Sequence, residues 1–195
     1  MGKVPFEPEQ YKTIHGWFDY ENLYKQVFED LDDGAHIVEV GCWLGRSSCF
    51  MAELIKAGNK EIQMDCVDTW KGSHIEAHSA VVEGNMSSIV HDFVMNLSKA
   101  NVLQYVNIIQ ANPMRAVNIY DDKSLDFVFL DDDHSETHVA NELNTWWPKI
   151  KKGGILAGHD YTEENWPGVV KAVRAFSKAK RKKYSVEGNS FLFTK

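Results

Sequence analysis

Cysteine is scarce in this chain of 195 residues: Cys42, Cys49 and Cys66 are odd in number, lack CxxC spacing and sit in apolar segments. That usage argues against a disulfide framework and for reduced core thiols in a cytosol-like compartment, so a cytoplasmic protein is expected. Long apolar runs are missing too. None reaches the roughly 18 residues of a membrane span, and the opening MGKVPFEPEQYK has no signal-peptide core, so a soluble chain without a membrane partner is expected. There is no excess of positive charge; the formal net charge of −7 disfavours nucleic acid as a general partner. The one basic run, KAKRKK at 178–183, reads as a solvated helix end whose cations suit the macrodipole. Repeats, low-complexity tracts and linker-like shifts are absent as well. Residues 1–195 therefore read as a single domain, with 1–35 as an N-terminal helical preface.

What is present is a hydrophobic content of 44% in a chain long enough to bury a core on both sides of a sheet. Strand and helix patterns alternate. HIVEVG (36–41) is a short apolar run closed by glycine, and RSSCFMAELIKAG (46–58) follows as a helix with Gly58 as its C-terminal stop. EIQMDCVD (61–68), YVNIIQA (105–111) and LDFVFLD (125–131) read as strands, the last with no polar face, as befits a strand covered on both sides. Val139, Leu143, Trp146 and Ile150 recur at helical spacing in a segment that Ser135 caps and KKGG ends, before a fifth strand, GILAG (154–158). Pro167 starts a last helix with Val169, Val173 and Phe176 inward, and two strands around Gly188 and Asn189 close the chain as a hairpin. The pattern predicts an α/β fold, doubly wound around a mostly parallel sheet with an antiparallel strand near the end.

Ligands of such sheets bind beyond the carboxyl ends of the strands, where strand order reverses. The strand ends offer Glu39 and Gly41, Asp68, Asn112, Asp131, and the pair His159 and Asp160. The EVGCWLGRS loop (39–47) lets a ligand approach Gly41 and Gly45 closely and offers it a helix N-terminus. A dinucleotide loop would read GxGxxG, yet Trp43 stands where the second glycine belongs, and no GK[ST] ending marks a triphosphate loop. Asp68 can accept hydrogen bonds from both hydroxyls of a ribose. Ribose without pyrophosphate points to another adenosine cofactor.

IVEVGCWLGRSS, CVDTWKGS, LDFVFLDDDHSE and GGILAGHDY, in this order, resemble segments of class I S-adenosylmethionine-dependent methyltransferases. More narrowly, they are similar to the cation-dependent O-methyltransferases, including the branch acting on macrolide sugars. The resemblance covers about residues 36–160 and implies a Rossmann-like, seven-stranded sheet with a C-terminal antiparallel hairpin. It implies that Glu39, Gly41 and Gly45 shape the methionine pocket, with Ser47 near the carboxylate of S-adenosylmethionine. Asp68 would hold the ribose, Asn112 would contact adenine, and Trp70 would line the same pocket. Pro113 departs from the small polar residue common after the adenine position.

The resemblance also maps Asp131, His159 and Asp160 onto divalent-cation ligands. Neighbouring strand ends about 4.8 Å apart allow such groups to meet on one ion. The imidazole departs from an all-oxygen site and leaves Mg²⁺, Mn²⁺ or another divalent ion open. His134 matches a histidine acting as base in the sugar-methylating relatives. The implied acceptor is a small-molecule hydroxyl, on a sugar or other glycoside. Two other readings stay open: a non-catalytic S-adenosylmethionine-binding module on the same fold, and a metal-dependent hydrolase. GSHIEAHSAVVEGNMSSIVHDFV (72–94), with His74, His78 and His91, reads as a lid or substrate wall. HGWFDYENLY (15–24) reads as packing over a sheet edge or as a contact between copies in a homo-oligomer, rather than as catalytic.

Overall fold

The structure, a computed structural model, describes residues 6–58, 60–72 and 89–195. Its strands are His36–Val40 (β1), Gln63–Asp68 (β2), Asn107–Gln110 (β3), Leu125–Leu130 (β4), Ile150–Gly158 (β5), Ser185–Glu187 (β6) and Ser190–Thr194 (β7). They form one sheet in the order β3-β2-β1-β4-β5-β7-β6. The first five are parallel; β7 runs antiparallel to β5 and pairs with β6 in a hairpin. The α-helices are Glu21–Asp30 (α1), Arg46–Ala57 (α2), Ile89–Lys99 (α3), Pro113–Ala116 (α4), Glu136–Trp146 (α5) and Pro167–Lys180 (α6).

Alternation along each strand divides the core in two. Ile37, Phe127 and Phe129 pack with Tyr24, Phe50 and Phe93 of α1, α2 and α3. Val38, Val40, Val128 and Leu130 face the other way, onto Leu143 and Trp146 of α5 and Val173 and Phe176 of α6. Helices thus cover both faces, and the strand order reverses between β1 and β4. All three cysteines are free and buried. No helix among the described residues is long and apolar enough to cross a membrane.

Three local expectations need correction. Gly58 closes α2 with φ −91°, outside the left-handed region; its role is clearance, because a Cβ there would stand 2.2 Å from Cζ of Phe28. KKGG does not follow a helix but lies inside β5. Pro148 stands in a 3₁₀ turn after Trp146, and Ile150, whose spacing continues the helical stripe, is instead the first residue of the strand. The register between β4 and β5 slips between Leu125 and Phe127, with Gly153 at φ +85° and Gly154 against the Asp126 carbonyl, which is how two glycines fit in a strand.

Candidate active site

The parallel ladders run one residue past β1, β4 and β5. The amide of Gly41 donates to Val67 O at 2.9 Å, that of Asp131 to Val40 O at 2.8 Å and that of His159 to Leu130 O at 3.1 Å. Strand-end residues are thereby held side by side at the switch point. Gly41 is required there: its φ is +84° and a Cβ would lie 2.1 Å from the Asp131 carbonyl oxygen. Gly45, at φ +85°, would drive a Cβ to within 2.6 Å of Leu97, so the loop seats directly on α3.

A cavity of about 700 Å³ opens over these ends. Gly41, Ser47, Asp131, His134, His159 and Asp160 line it, so six of the positions singled out in the sequence share one space. Glu39 stands behind Ser47, which donates a short hydrogen bond to its Oε1. Its other oxygen, Oε2, is buried without a partner. Burial pushes the carboxyl of Glu39 up to about 7, against the opposing pull of the Ser47 and Ser48 hydroxyls. An orphaned carboxylate oxygen beside a glycine loop fits the α-ammonium of a methionine moiety.

Asp68, Trp70 and Asn112 do not line this cavity. Asp68 clamps the glycine loop: Oδ2 accepts from the amides of Cys42 (2.8 Å) and Trp43 (2.9 Å), and Oδ1 from that of Trp70 (2.7 Å). A carboxylate has about four lone-pair positions, so at most one remains for a ribose hydroxyl. Trp70 is buried in the core, its ring on Phe93 and its indole N–H donating to Trp43 O at 2.8 Å. Asn112 caps α4 through Met114 N at 2.9 Å, on an exposed edge.

The acid cluster is tightly assembled. Nε2 of His134 lies 2.5 Å from Asp160 Oδ2 and 3.9 Å from Asp131 Oδ1. Asp131, His134 and Asp160 each offer a ligand atom within 4.8 Å of the others. His134 thus occupies the converging place assigned to His159 from the sequence. His159 instead points Nε2 at Asp19 Oδ1, 2.7 Å away, with Nδ1 3.5 Å from Asp160 Oδ1. Asp160 takes φ +59°, a conformation uncommon outside glycine and typical of constrained sites.

The environments push the two carboxyls apart. Burial raises Asp131 to about 6. Asp160, despite burial, is held well below the usual carboxylate range by the imidazoles of His134 and His159 beside it. His159 is raised to about 9, because its acidic neighbours outweigh the cost of burial. Both ring nitrogens of His134 are buried without a hydrogen bond of good geometry, although Asp160 is close. Carboxylates and an imidazole crowded in this way fit a divalent cation, which takes oxygen and nitrogen donors at a little over 2 Å.

The N-terminal segment supplies residues that sequence reasoning missed. Tyr20 donates its hydroxyl to Asp131 Oδ2 at 3.1 Å, and Asp19 holds both His159 and, at 3.2 Å, the Asn189 side chain. Trp166 stacks on His134, centroids 4.3 Å apart. The sequence signal, the aromatic and acidic character of residues 15–24, reads as packing or a contact between copies rather than as part of the site, and the contacts of Asp19 and Tyr20 correct it. His74 and His78 lie outside the described residues, as does the 73–88 part of the expected lid. His91 is exposed on α3, 3.6 Å from Asp92.

The sheet order, the glycine loop and the acids at the switch point are those of a doubly wound fold with its ligand site at the strand ends. The family model described as a methyltransferase domain matches residues 38–161, more than half of the chain. The chain belongs to that family, and it is an S-adenosylmethionine-dependent methyltransferase. No curated protein matches by sequence. Among solved structures it is similar to the O-methyltransferase NovP, at 15% identity and TM-score 0.68 over 90% of this chain and 78% of that one. It is also similar to the calicheamicin methyltransferase CalS11, at 16% identity and TM-score 0.62 over 89% and 76% of the two chains. A methyltransferase from Geobacter sulfurreducens gives 16% identity and TM-score 0.62 over 92% and 78%. These likenesses concern the fold.

Proposed function

We propose that the chain transfers the methyl group of S-adenosylmethionine to a hydroxyl of a small molecule, a sugar or glycoside, with a divalent cation, Mg²⁺ or Mn²⁺, at the acid cluster. The observation that carries this reading is the convergence of Asp131, His134 and Asp160 on the wall of the large cavity, beside the Gly41–Gly45 loop.

Glu39 and Ser47 hold the methionine end of the donor, and the loop backbone lets it approach. Asp131 and Asp160 would hold the cation, with His159 as a further donor. When bound, the cation lowers the pKa of an alcohol and orients it. The hydroxyl oxygen forms the new bond to the methyl carbon while the carbon–sulfur bond breaks, its electron pair staying on sulfur. His134 takes the hydroxyl proton on Nε2, provided that Asp160 is engaged elsewhere. Trp166 and Tyr20 hold His134 and Asp131 in place and shield the site from water. One methyltransferase domain spanning residues 1–195 suffices for this account, and a homo-oligomer is compatible with it.

Calorimetric titration of chelator-treated protein with S-adenosylmethionine, with and without Mg²⁺, followed by a glycoside panel, tests the reading. Asp160→Asn should keep donor binding and lose transfer. Transfer undiminished in Asp160→Asn would overturn the assignment of the acid cluster.

A further inference from the structure

A second cluster lies behind the first. Asp132, in the loop after β4, and His138 and Glu142, one turn apart on the same face of α5, each offer a ligand atom within 4.8 Å of the others. Nε2 of His138 is 3.2 Å from Asp132 Oδ2 and 3.5 Å from Glu142 Oε1. Neither approach has hydrogen-bond geometry: both His138 Nε2 and Glu142 Oε1 are buried without a partner. The Glu142 side chain is only 1% exposed. A buried carboxylate oxygen without a hydrogen bond is costly, and it is aimed at two further donors.

The spacing fits a shared ion. Donors bound tetrahedrally at about 2.1 Å are about 3.4 Å from one another, and octahedral neighbours are about 3.0 Å apart. The His138–Asp132 separation of 3.2 Å falls in that range, and the His138–Glu142 separation of 3.5 Å lies just above it. A cavity of about 10 Å³ lies between the two clusters: it touches Asp132 and Glu142, and also Asp131, His134 and His159, but not His138. One nitrogen and two carboxylates suit zinc and its first-row neighbours better than magnesium.

We propose that Asp132, His138 and Glu142 form a second divalent-cation site, separate from that at Asp131 and Asp160, which takes a zinc-type ion and ties the loop carrying Asp131 and His134 to α5. The site does not depend on the nature of the acceptor or on which ion serves transfer.

Equilibrium dialysis of the chelator-treated full chain against Zn²⁺ tests it. His138→Gln should bind about one equivalent fewer than the parent protein and should lose the rise in melting temperature that Zn²⁺ gives the parent. His138 is partly exposed, so this variant should fold; Glu142→Gln, which keeps the buried shape, should show the same loss. Asp160→Asn should retain the equivalent that His138→Gln loses. Equal Zn²⁺ binding by parent and His138→Gln would overturn the proposal. So would loss of one and the same equivalent in both His138→Gln and Asp160→Asn, which would mean a single shared site.

Discussion

At the scale of residues, the two groups with most to do are Glu39 and His134. Replacing His134 by alanine should lower kcat by about 10²- to 10⁴-fold, the usual worth of a positioned base, while the dissociation constant for S-adenosylmethionine stays nearly unchanged. Steady-state kinetics with calorimetry on the same variant would separate the two. Glu39 has a folded-state value of about 7 against an ordinary 4.5. The folded state therefore binds its proton more tightly than the unfolded chain does. Its contribution to stability is full below about pH 4.5 and is lost as pH rises to about 7. The loss is on the order of 3 kcal/mol. Thermal melts of the protein alone should show this slope, and Glu39→Gln should flatten it. These residues were legible because each terminates an apolar strand or opens the next helix. Asp19 and Tyr20 were not: they reach His159 and Asp131 across 140 and 111 positions of chain, a distance no local pattern encodes.

At the scale of elements, the site depends on glycines that permit close approach. Gly168, near the start of α6, would place a Cβ 2.8 Å from both the His134 carbonyl oxygen and the Glu136 amide. Gly168→Ala should push α6 away from the loop, costing about 1–3 kcal/mol by overpacking and lowering kcat with it. Chemical denaturation and turnover on one preparation check both. The five parallel strands and the hairpin were legible because β-branched runs, turn residues and helical stripes agreed. KKGG was not, since glycines after a helical stripe look like a helix stop. Only the slipped register between β4 and β5 gives them a place in a strand. Trp70 shows the same limit: the resemblance places it in the donor pocket, whereas the ring is buried in the core against Phe93.

At the scale of the whole molecule, doubly wound topology brings β1, β4 and β5 together so that a donor cradle on one side of the switch point meets an acid cluster on the other. In the proposed reading the two halves come from different chemistry: backbone clearance and an orphaned carboxylate for the donor, crowded carboxylates and imidazoles for the acceptor. Their junction in one cavity is what a direct transfer requires. The measurement that tests this most directly is methyl transfer from isotopically labelled S-adenosylmethionine to a panel of glycosides by chelator-treated protein, with and without Mg²⁺ or Mn²⁺. Labelled methyl on an acceptor hydroxyl, restored by the ion and absent in Asp131→Asn, is the predicted result. Transfer that proceeds equally well under chelation and in that variant would contradict the account.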